Sequence, residues 1–172
     1  MATLKLLAAI ALAALVHFVG MQIWPAGFAR SVDVFLVVVV LHALGGNSFS
    51  ALLVGLAVGL LQDELTSKPF GLFGFADTIV GYVTARLAQR LVIQRPTGVL
   101  AVVSFASALQ QAVAVGLALV LLPGPELPSP VWVAVKAGVC GLLGLAIHVA
   151  MGNWRRSSEA RRRGRMNRLR MN

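Results

Sequence analysis

Six long apolar stretches run through the chain, separated by short breaks rich in glycine, proline or charge. None alternates polar and apolar residues with a period of two, so each predicts a helix rather than a strand. The first covers residues 4–23. Lys5 followed by "LLAAIALAALVHFVG" has the look of a signal peptide, but the run is too long for a signal core and further spans follow, so it is read as a retained helix. The "WPAGFAR" turn leads to a second span over 31–44, short and β-branched, with Asp33 placed as a helix N-terminal residue. "GGNSF" breaks the chain before a third span over 48–64, and "ELTSKP" separates it from a fourth over 70–93. "QRPTG" ends that helix through Pro96, the fifth span covers 97–122, and "PGPELPSP" forms a rigid turn before a sixth over 130–152.

Composition agrees with this pattern. The chain has 172 residues, 58% hydrophobic and 12% charged, against roughly 45–50% apolar and about 25% charged in soluble domains. The bilayer admits only segments that pair their own backbone polar groups. The expected fold is therefore an all-α polytopic membrane bundle of six transmembrane helices over 1–153, with a basic tail over 154–172. The single Cys140 permits no internal disulfide.

Charge sets the expected orientation. Lys5, Arg86, Arg90, Arg95 and the tail arginines fall on one side; Arg30 and Lys68 fall on the other. Arginine near span ends marks the cytoplasmic face, so both termini are expected there. Arg155, Arg156, Arg161, Arg162, Arg163 and Arg165 then suit contact with anionic lipid or cytoplasmic protein better than nucleic acid. The tail is either disordered or laid on the membrane surface.

Small and polar residues mark the faces that meet protein. Gly55, Gly59 and Asp63 share one face of the third span. Gly74, Asp77, Thr78, Gly81, Ala85 and Ala88 form a stripe on the fourth, with Phe75, Ile79 and Val83 opposite. Ser104, Ser107 and Gln111 line up on the fifth, and Gly141, Gly144 and His148 on the sixth. Such seams either pack the bundle or dock a partner helix. Asp77 and Lys136 are the most deeply set chargeable residues. Their similar depth predicts that Lys136 pairs with Asp77, or with Asp63 nearer the surface, either to fix packing or to serve a function. Catalytic and metal signals are weak. Asp63 and Glu64 point about 100° apart on a helix, the three histidines fall on different spans, and no nucleophile elbow or phosphate-binding glycine loop is present. No cofactor is expected.

The segment "GLLQDELTSKPFGLFGFADTIVGY" resembles the MreD family, the small membrane subunit of the bacterial rod-shape machinery. The matching features are Gly59, Leu60 and Asp63 ending one span, then Gly71, Gly74, Gly81 and Tyr82 opening the next. The resemblance implies a non-enzymatic scaffold of the peptidoglycan elongation complex in the bacterial inner membrane. Its partners would be a single-span MreC-like protein, with a RodA-like glycosyltransferase, a class B penicillin-binding protein and MreB filaments alongside. It also implies a fold similar to the substrate-binding subunits of ECF vitamin transporters, whence an alternative: a transporter subunit with a cavity involving Asp77, Tyr82, Gln110, Gln111 and Lys136. Lys136 and the arginine tail match no part of the family pattern.

Overall fold

A computed structural model describes residues 2–66, 69–90, 96–121, 123 and 128–170, with the backbone alone described at residue 2 and over 155–170. Lys68, Arg95, residues 124–127 of the last turn and the side chains of the tail arginines, to which sequence-based roles were attached above, lie outside what is described. Among the described residues every regular element is a helix: α1 (Ala2–Ile23), α2 (Pro25–Ser31), α3 (Val34–Ala43), α4 (Ser48–Thr66), α5 (Leu72–Arg90), α6 (Pro96–Leu121) and α7 (Pro130–Arg170). Three of them begin on proline, whose fixed φ suits a first helical residue and whose missing N–H is not needed there.

Five stretches are long and apolar enough to cross a membrane: Thr3–Ile23, Pro25–Ala43, Ser48–Thr66, Pro96–Leu121 and Pro130–Trp154. The chain is a multi-pass membrane protein built as a helical bundle. α5 is of similar length but more polar. Its polar side is turned inward, with Asp77 and Thr84 buried, while Phe75 is exposed.

The second crossing departs from expectation. The "WPAGFAR" segment is not a turn but α2, and the crossing is two helices joined at Val32, which is extended, and Asp33, which is non-helical. Asp33 is the better starter for a new helix than a member of a continuing one, because its carboxylate accepts from the Leu36 amide at 3.0 Å. Interrupted backbone is tolerated at membrane depth only inside protein, and Asp33 is 2% exposed.

α3, a run of valine, leucine and phenylalanine apolar on every side, becomes the central helix. Phe35, Leu36, Val37, Val39, Val40 and Ala43 are all buried, as an all-round apolar helix should be. It packs against α1, α4, α5, α6 and α7. By contrast α1 lies at the periphery, with Leu4, Leu7, Leu12, Leu15 and Phe18 exposed.

The α4–α5 hairpin is the closest helix pair. It is antiparallel and its contacts step by one turn: Gly81 lies on the Ala51 carbonyl, Gly55 on the Asp77 carbonyl and Gly59 on the Phe73 carbonyl. A Cβ at any of the three would sit closer than 3.0 Å to that carbonyl oxygen. Both seams read from the sequence therefore face each other inside the bundle. At the far end Gln89 donates to the Gly46 carbonyl and to Ser48 Oγ (3.0 Å), tying α5 to the α3–α4 turn. Gly144 packs on Val103 and Gly141 on Ser104, so the α6–α7 seam is internal too. α7 shows no break at residue 153; the helix continues through the arginine-rich segment to Arg170.

Candidate functional site: a buried polar layer

The polar residues of the interior gather at one level of the bundle. His17 lies about 9 Å from the end of α1, Lys136 about 9 Å from the start of α7 and Asp77 about 8 Å from the start of α5, at about 1.5 Å per residue. The helix break carries Asp33 to the same layer.

Lys136 Nζ lies 2.9 Å from Asp33 Oδ2, with both side chains almost wholly buried. This corrects the expected pairing: Lys136 bonds neither Asp77 nor Asp63. Had the second span been one helix starting at residue 31, Asp33 would sit at the surface. With α2 placed before it, Asp33 lies inside and Lys136 finds it. Gln62 Nε2 donates to the same Oδ2 at 3.0 Å, and the Asp33 amide donates to Cys140 Sγ at 3.3 Å. The ammonium also stands 5.6 Å from the centre of the Phe73 ring, within range of a cation–π contact. Four elements other than α3 thus converge on Asp33 or its cation: α4 through Gln62, α5 through Phe73, and α7 through Lys136 and Cys140, with α2 ending two residues before it.

Asp63 plays a different part. Its carboxylate accepts from the amides of Gly71 (2.9 Å), Phe73 (2.9 Å) and Gly74 (3.1 Å). Those amides have no intrahelical acceptor at the start of α5, and the negative charge complements the positive end of the helix. Gly71 has φ +95, so the turn that aims its amide at Asp63 favours glycine. Replacing Asp63 with alanine should cost about 1–2 kcal/mol from the lost cap, with asparagine in between. Thermal melting of the purified protein in detergent measures both.

Asp77 lies on α5 in the interior, fully buried, one turn below Phe73. Gln110 Nε2 donates to its Oδ1 at 2.7 Å. Among the described residues its Oδ2 has no hydrogen-bond partner, nor has Gln110 Oε1, Gln62 Oε1 or His17 Nε2, while Ser107 lies against the Cys140 thiol. Asp33, Asp63 and Lys136 are all close enough to act on Asp77 electrostatically. Gln110 rather than Gln111 occupies the buried stripe of α6, together with Ser107.

The remaining predicted residues separate. Gly55, Gly59, Gly74 and Gly81 pack α4 against α5 and present no face to a partner. Tyr82 points outward, accepts from Arg86 Nε at 3.1 Å and lies under the same guanidinium. His17 rests between the Phe28 and Phe35 rings, at 5.9 and 5.4 Å. His42 bonds Ser50 Oγ at 2.9 Å. Among the described residues no three of His, Cys, Asp and Glu assemble as a metal site.

Sequence reasoning missed Asp33, Gln62 and Cys140 as one constellation. The overlooked signal was length: residues 31–44 reach only about 21 Å as a helix, short of the roughly 30 Å hydrocarbon core. The span had to begin earlier, which puts Asp33 inside it.

No family model matches the chain, and neither the curated proteins nor the solved structures searched contain a significant match. The class defined by fold and interior is a multi-pass helical membrane bundle with a buried acid–base pair at an interrupted crossing.

Proposed function

We propose that this chain is a non-catalytic scaffold, an assembly subunit of a cell-shape (peptidoglycan elongation) complex in the bacterial inner membrane, with both termini cytoplasmic. The supporting observation is what the segment bearing the MreD resemblance does. Asp63 accepts from three backbone amides, and Gly59 and Gly81 lie on the backbone carbonyls of Phe73 and Ala51. Those residues build a rigid helical hairpin. A partner therefore meets the outward faces, where Phe75, Tyr82 and the apolar side of α1 are exposed. A single-span protein of the MreC kind fits such a face. RodA-like, penicillin-binding and MreB-like proteins would join through it, and the arginine segment of α7 would lie against anionic lipid or the filament machinery.

The test is purification from native membranes in mild detergent, with mass spectrometry of what stays bound. A stoichiometric single-span protein is expected, and Phe75→Ala with Tyr82→Ala should reduce its recovery severalfold. Recovery of this chain alone from membranes that contain the partner would refute the scaffold.

A second reading, the substrate-binding subunit of a small-molecule transporter, is favoured by the interrupted second crossing, since such breaks commonly form ligand sites in transporters. A melting temperature that rises with a particular vitamin-like ligand would support it over the scaffold.

A further inference from the structure

We infer that the Asp77–Gln110 pair is an exchangeable site for one small monovalent cation, a proton or a sodium ion, held between α5 and α6. The inference goes beyond the scaffold reading and does not depend on it.

It begins with the buried charges. Lys136 is the one buried cation among the described residues, and it is bonded to Asp33 at 2.9 Å. Asp63 is held by three amides at a helix N-terminus. Asp77, equally buried, receives a single hydrogen bond, from the neutral amide of Gln110. Among the described residues its second oxygen is unpartnered, and so is the carbonyl oxygen of the same Gln110.

The groups left open are thus a carboxylate oxygen and an amide oxygen, a set that accepts and carries negative charge. The charged groups around them are Asp33 on α3, Asp63 on α4 and Lys136 on α7, two anions against one cation. An anion there would meet the negative charge of the Asp77 carboxylate. A divalent ion of the calcium type takes about six to eight oxygen ligands, more than these side chains offer. Behind Asp77 the backbone is closed by Gly55, whose Cβ-less face lies on the Asp77 carbonyl, which excludes an organic ligand from that side. Buried carboxylates at membrane depth require a partner, and a proton or sodium ion on Asp77 Oδ2 supplies one. As a proton it converts the carboxylate to a neutral acid with a donor. As sodium it is ligated by Asp77 Oδ2 and Gln110 Oε1.

The experiment uses the full chain in nanodiscs. Melting is followed in sodium chloride and in choline chloride of equal ionic strength, and infrared difference spectra are recorded across a pH series. For sodium, the melting temperature rises with sodium over choline, and Gln110→Leu raises the sodium concentration needed at least tenfold. For a proton, salts are equivalent and a carboxylic-acid C=O band titrates, disappearing in Asp77→Asn. If Asp77→Asn does not fold, Asp77→Glu assigns the band by shifting it. A wild-type protein indifferent to sodium, with no Asp77 band that titrates, overturns the proposal.

Discussion

Substituting Lys136 with methionine should destabilise the protein by about 3–5 kcal/mol, because it leaves the Asp33 carboxylate buried without its cation. Methionine keeps much of the aliphatic volume, so little of the loss comes from packing. Asp33 cannot turn to water: it is 2% exposed, and one of its oxygens caps α3 through the Leu36 amide. The informative companion is Asp33→Asn with Lys136→Met. Asparagine keeps a cap acceptor for Leu36 and removes the charge, so the double variant should recover most of what Lys136→Met alone loses. Replacing a buried ion pair by neutral groups is often near neutral, whereas breaking one is not. Melting of the wild type, both single variants and the double variant in one detergent gives the coupling between the two side chains. Independent, additive losses would mean that the pair does not form.

Enlarging Gly55 or Gly59 should have an effect of similar size by an unrelated route. A Cβ at Gly55 meets the Asp77 carbonyl, and one at Gly59 meets the Phe73 carbonyl. Both obstacles are backbone in a helix and cannot rotate aside, so α4 and α5 must separate along the whole seam. Overpacking generally costs about 1–3 kcal/mol. Here the upper end is expected even for Gly→Ala, with loss of folded protein for Gly→Leu. Separation of the helices also draws Asp63 off the amides that start α5. Gly116 and Gly138 provide the control, since a Cβ at either meets nothing within 4 Å. Alanine there should leave yield unchanged and melting the same or slightly higher, since Gly→Ala gains helix propensity of up to about 1 kcal/mol. Fluorescence-detected size-exclusion of the four alanine variants, heated in parallel, separates the two classes.

How far the sequence reached depended on whether a feature is local. The glycine seams were legible because a spacing of four puts small residues on one helix face whatever lies around them. That they face each other was not, since the same face would serve a partner helix equally well. The inward turn of Asp77 and the outward turn of Phe75 followed from the same periodicity. The partner of Lys136 did not, because it depends on depth across three helices, and depth depends on where each crossing starts. One unrecognised helix of seven residues, α2, moved Asp33 from the surface to the core. The sixth crossing ends near Trp154 as expected, but the helix itself runs on into the tail. Apolarity falls off near Trp154, but arginine, alanine, methionine and leucine are all good helix formers, so α7 leaves the apolar region without ending.

The most direct test of a closed bundle, as opposed to one built around a solute cavity, is the reactivity of Cys140 in native membranes. Its sulfur receives the Asp33 amide at the helix break and is fully buried. A water-soluble maleimide should leave it unlabelled in the folded protein and label it only after denaturation. Prompt labelling of the folded protein would show that water reaches the Asp33–Lys136 pair, and the closed scaffold would give way to the transporter.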